Sequence, residues 1–133
     1  MKKILLFACL TSLFFSCKQE YIVRSIESVT INKFDMDSTS IRAIVAVDSD
    51  NLLFAGSRGD VGLTDDGGKT WNIEYLTYQD SIVPHFRSLA KTSSSVFALS
   101  IANPALLYKF SSGNKKLVYK EEHEKVFYDA MTF

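Results

Sequence analysis

The densest chemistry in the sequence lies at Thr64-Asp65-Asp66-Gly67-Gly68-Lys69-Thr70-Trp71, where carboxylates, hydroxyls and paired glycines precede a large aromatic. Carboxylates beside glycines suit a divalent cation, and a calcium loop is one reading of Asp60, Asp65 and Asp66. An EF-hand spaces its oxygen ligands in a fixed order and closes on a bidentate Glu. This stretch has neither that order nor the Glu, so no metal is expected here. The same residues do suit a hairpin. Asp-Gly between apolar strands favours a turn because such turns need positive φ, which glycine adopts without a Cβ clash. The Asp66 carboxylate is placed to accept from turn N–H groups and from the Thr70 hydroxyl. Trp71 then folds beneath the turn and covers it.

The other reactive residues are scattered. Arg42 and Arg87 stand 45 residues apart in matching contexts, Ile41-Arg42-Ala43-Ile44 and Phe86-Arg87-Ser88-Leu89, so they are candidates for anion binding. Pairing of each with a local carboxylate or loop carbonyls is the simpler expectation. His85, read as a loop residue, and His123 are far apart with no cysteine partner, a poor basis for a metal site. No Gly-x-Gly-x-x-Gly follows a strand, so a bound dinucleotide has no support. Tyr75, Tyr78, Tyr108 and Phe110 read as packing residues. No catalytic constellation and no cofactor is expected. Fifteen basic residues balance fifteen acidic ones, which recommends neither nucleic acid nor acidic lipid as a partner.

Residues 1–16 read as a targeting segment. A cationic Met1-Lys2-Lys3 precedes an apolar run, Ile4 to Phe15, of about twelve residues, too few for a bilayer but suited to a secretory signal. The run ends in Leu13-Phe14-Phe15-Ser16-Cys17 and polar residues follow. This resembles a bacterial lipoprotein signal, which implies cleavage before Cys17 and acylation of its thiol. Cys9 has too short an apolar run before it to serve. The implied address is the cell envelope, as an outer-membrane lipoprotein facing the periplasm or the outside. Its membrane partner would be held through Cys17 by more than one acyl chain, since one binds only marginally.

These candidates must be positioned by strands. With 47% apolar and 13% aromatic residues the chain is globular in type. Residues 17–27 read as a tether, and Ser28–Phe34 alternates apolar and polar as a half-buried strand does. Four short strands follow over about 41–76, and the pattern returns over about 86–120. A further copy begins at 126–133. Four strands per 40–45 residues is the period of β-propeller blades. The expected fold is all-β: four-stranded antiparallel blades, about two of them plus the first strand of a third, within a partial propeller over 28–133.

Thr64-x-Asp66-x-Gly68-x-Thr70-Trp71 resembles the Asp box, or bacterial neuraminidase repeat, at every defined position. The surrounding strands resemble the photosystem II assembly factor-like branch of these propellers, which includes Bacteroidetes lipoproteins. The closing Val126–Phe133 looks like a further blade start in the same group. In the second copy, aligned by sequence, Ser111 replaces Asp66, Lys115 replaces Thr70 and Lys116 replaces Trp71, while Gly113 keeps the place of Gly68. The resemblance implies that the box is structural, because sialidase boxes lie away from the catalytic centre. Sialidase chemistry needs an arginine cluster, a Tyr–Glu pair and an acid. Here only Arg42 and Arg87 offer themselves. The expected function is therefore a membrane-anchored binding or assembly scaffold with a protein or glycan partner. The alternatives are a sialidase-like hydrolase whose catalytic residues lie in further blades, and a fragment without function. Closed propellers have four to eight blades, so the chain is expected to be the N-terminal part of a longer one.

Overall fold

The computed structural model describes residues 23–35 and 39–133. Cys17, the signal segment and the first part of the tether therefore lie outside the described residues. Contacts divide the chain into two units, the second being Phe34–Phe133. In the first, residues 23–33 form neither helix nor strand. This corrects the strand expected at Ser28–Phe34. Alternation supplies an apolar face, but a strand also needs a hydrogen-bonding neighbour, and Val29 and Ile31 are 74% and 77% exposed.

The second unit holds eight strands: β1 (Ser40–Ala46), β2 (Leu52–Ser57), β3 (Asp60–Thr64), β4 (Asn72–Tyr75), β5 (His85–Lys91), β6 (Val96–Ile101), β7 (Ala105–Ser111) and β8 (Asn114–Glu121). They form two four-stranded antiparallel meanders, β1-β2-β3-β4 and β5-β6-β7-β8. His85 opens β5 rather than lying in a loop. Two-residue turns close β2–β3 at Arg58-Gly59, with φ of 78° and 75°, and β7–β8 at Ser112-Gly113, with φ of 48° and 75°. Positive φ at both central positions matches the twist of the strands they join.

The repeat is also structural. The register of β1 on β2 shifts between Ile41 and Ala43, and that of β5 on β6 between Phe86 and Ser88. Arg42 and Arg87 are thus the extra residues of two equivalent β-bulges.

One face of each sheet packs on the other sheet. Leu53, Ala55 and Val61 of the first meet Phe86, Val96, Ala98, Leu106 and Tyr108 of the second, with Leu76 from the connection. The Phe86 and Tyr108 rings meet edge to face at 5.9 Å. The clearest departure from the repeat is a size exchange within one cross-strand pair. Ala98 lies opposite Tyr108 in the second sheet, and Phe54 opposite Gly62 at the same place in the first. A Cβ on Gly62 would fall 2.0 Å from Phe54 Cε1, so the ring occupies the space a side chain would need.

Residues 126–133 form no ladder among the described residues. They meet side chains of β5 and β6. The Ser88 hydroxyl accepts from Met131 N at 3.0 Å, Arg87 Nε donates to Asp129 at 2.8 Å, and the Phe133 ring lies 5.0 Å from Phe97.

Candidate functional site

The Thr64–Trp71 turn is organised on one carboxylate. Asp66 Oδ1 accepts from the Thr64 hydroxyl at 2.8 Å and from Lys69 N and Thr70 N at 2.9 Å each. Oδ2 accepts from the Thr70 hydroxyl at 2.6 Å. Thr64 Oγ1 in turn accepts from Gly68 N at 2.9 Å. Gly67 and Gly68 take φ of 72° and 88°, where a side chain would be strained. These donors, led by the Thr70 hydroxyl, hold the Asp66 carboxyl well below the usual carboxylate range. With its lone pairs committed inward, Asp66 is a clasp. Asp65 plays no part in it.

Trp71 completes the arrangement. Its ring lies 5.0 Å from Phe54 and 6.4 Å from Phe34, and its Nε1 donates to Gly68 O at 3.2 Å. The turn also leans on its own sheet, where Gly67 N donates to Asp50 O at 2.9 Å. Asp48 braces that neighbouring turn by accepting from Asp50 N and Asn51 N.

In the second sheet the turn is two residues shorter than sequence alignment alone implies. Leu63 pairs with Asn72, and at the matching ladder position Lys109 pairs with Lys116. Lys115, not Lys116, therefore stands where Trp71 stands in the first sheet. Its Nζ reaches across to the Glu74 carboxylate. Lys91 makes a second tie between the sheets, donating to the carbonyls of Ala46 and Val47 at 2.8 and 3.1 Å.

Between these two ties the sheets part into a cleft of about 610 Å³. Leu53, Leu63, Val96 and Phe110 line it with apolar surface, and serines 93–95 and residues 111–114 contribute a polar rim. No sequence motif marked this cleft. The available signal was Ser112-Gly113, a two-residue hairpin pattern too short to carry a tucked tryptophan.

The remaining candidates do not converge. Arg87 is engaged by Asp129 across the sheet edge. Arg42 is exposed at the equivalent bulge and has no hydrogen bond or ion pair among the described residues. His123 Nδ1 accepts from Lys125 N at 3.2 Å in an exposed turn. Among the described residues no group of three or more His, Cys, Asp or Glu side chains is placed to hold a metal. No described helix is long and apolar enough to cross a membrane.

Asp60 is the residue whose role the sequence hid. It is fully buried, and among the described residues neither carboxylate oxygen has a hydrogen-bond partner. Thr39 Oγ1 is likewise buried and unpartnered. The register places Asp60 where the second sheet carries Leu106, itself fully buried.

No family model matches the sequence, and neither does any curated protein sequence. Among solved structures the chain is similar to YCF48 bound to D1 peptide, with a TM-score of 0.61 and 15% identity. The match covers 72% of this chain and 31% of that one, so the chain spans about a third of that protein's length. At this identity the likeness shows the fold alone. The two sheets are β-propeller blades.

Proposed function

We propose that this chain is the blade-bearing part of an envelope lipoprotein, anchored through Cys17, that works as a binding or assembly scaffold for another protein. The observation carrying the reading is the pair of blades in the arrangement of a propeller that was solved with a peptide bound. The clasped turn adds to it. Asp66 faces its own turn rather than a substrate, as the box residues of such propellers are used structurally. Arg87, one of two arginines available for an anion, is already neutralised by Asp129, which weighs against a sialidase-like hydrolase.

The reading extends to further blades. Ile41 and Ile44 on β1, and Val118 and Tyr119 on β8, remain exposed. Burying a large apolar side chain is worth about 1.5–3 kcal/mol, so neighbouring blades of a longer polypeptide would gain by covering both faces.

Lipidation and partner binding are tested separately. Metabolic labelling with a fatty-acid analogue, followed by membrane fractionation, should show label and membrane association that Cys17→Ser abolishes. Unchanged partitioning of the serine variant would refute the anchor. Crosslinking in intact envelopes should trap a protein partner. Turnover of a fluorogenic sialoside, with no partner trapped, would replace the scaffold reading by the hydrolase.

A further inference from the structure

Resting on the scaffold reading, we propose that the cleft between the two blades receives a large aromatic side chain, tryptophan above all, from an extended segment of the partner protein. The argument starts from the repeat. In the first blade the position just before β4 is Trp71, whose indole fills the space over Phe54 beneath the turn. In the second blade the same ladder position is Lys115, and the residue matching Phe54 is Ala98. Tyr108, opposite Ala98, supplies the ring in place of Phe54, but nothing replaces the indole, and the cleft lies beside Lys115, where it would stand.

The walls suit the occupant that is lacking. Leu53, Leu63, Val96 and Phe110 offer an apolar slot, and about 610 Å³ lies within the 300–1,000 Å³ typical of ligand pockets. The rim serines and the exposed turn offer acceptors for an indole N–H, the part Gly68 O plays for Trp71. Lys115, held beside the slot by its pairing with Glu74, adds its aliphatic stem to the wall. An apolar centre inside a polar rim is the anatomy of a protein-binding hot spot, where tryptophan is enriched. The occupant is taken to be a chain segment because the rim belongs to two turns, which can bond a peptide backbone on either side.

The test uses N-acetyl-tryptophanamide as the probe and the purified chain labelled with ¹⁵N. Titration should give saturable shifts concentrated on the amides of Leu53, Val96, Phe110 and Lys115. N-acetyl-leucinamide should bind about tenfold more weakly, a difference of about 1.4 kcal/mol. Lys115→Trp should fill the slot from within and abolish those shifts. Should that variant fail to fold, the wild-type map decides alone, and absent shifts or shifts elsewhere overturn the proposal. Free tryptophan binding as tightly as the capped amide would overturn a protein segment as the occupant. Probe binding at the cleft with no partner crosslinked in envelopes would remove the scaffold reading and leave the cleft. A partner trapped equally well by Lys115→Trp would remove the cleft and leave the scaffold.

Discussion

Asp66 and Asp60 are both carboxylates of the first blade, and their surroundings give them opposite consequences. Asp66 is half-buried and saturated with donors, so folding lowers its pKa. A group lowered in the folded state adds stability above its unfolded value, near 3.9, and that stability is lost as pH falls through the folded value. Asp66→Asn should therefore lower the melting temperature at neutral pH and flatten its decline below about pH 4, as thermal melts from pH 2 to 7 would read. An unchanged acid limb would show that the clasp does not contribute. Asp60 is buried, and its oxygens have no hydrogen-bond partner among the described residues. An unsatisfied buried polar group costs about 1–3 kcal/mol, so Asp60→Leu, copying Leu106, should stabilise by a similar amount in urea unfolding. A loss of stability would mean that the carboxylate answers a charge that Leu cannot.

Among the elements, the size exchange between blades makes a sharper forecast. Gly62→Tyr alone drives a ring into Phe54, costing about 1–3 kcal/mol or more, and Phe54→Ala alone leaves a void, costing about 3–5 kcal/mol. Together they reproduce the Tyr108–Ala98 pair of the second blade. The double variant should recover at least about 1 kcal/mol over the sum of the singles in a double-mutant cycle; strict additivity would show that the two pairs are not interchangeable. The strands themselves were legible because period-two patterning and turn residues recur every 45 residues or so. Ser28–Phe34 carried the same pattern and formed no strand, since a sequence states which face is apolar but not whether a partner is present. The cleft was illegible for a related reason. Aligning Lys116 with Trp71 ignored a turn shortened by two residues, and only the ladder Lys109↔Lys116 fixes which lysine takes the place. Asp60 looked like part of an acidic turn because burial is set by the neighbouring strands, which local pattern does not reveal.

At the scale of the molecule, two blades expose apolar surface on their outer faces. Sedimentation velocity of the purified chain should show association that grows with concentration, and Ile44→Lys should weaken it; a monomer at every concentration would mean the faces are sealed. The inter-blade ties also belong to this scale. Lys91→Met removes the bonds to Ala46 and Val47 and should raise amide exchange in β1 and β5 together, whereas exchange confined to β5 would show that the blades are not coupled there.

Lys109 directly opposite Lys116, where the first blade has Leu63 and Asn72, acts on a different axis, that of time. Like charges facing each other across a ladder are mildly destabilising, and among the described residues neither lysine has an ion-pair partner. During synthesis this face is bare before any neighbour can pack on it. Two adjacent cations on a half-apolar sheet keep newly made molecules from sticking to one another in that interval. The blade accepts a small permanent repulsion in exchange for solubility while that face is bare.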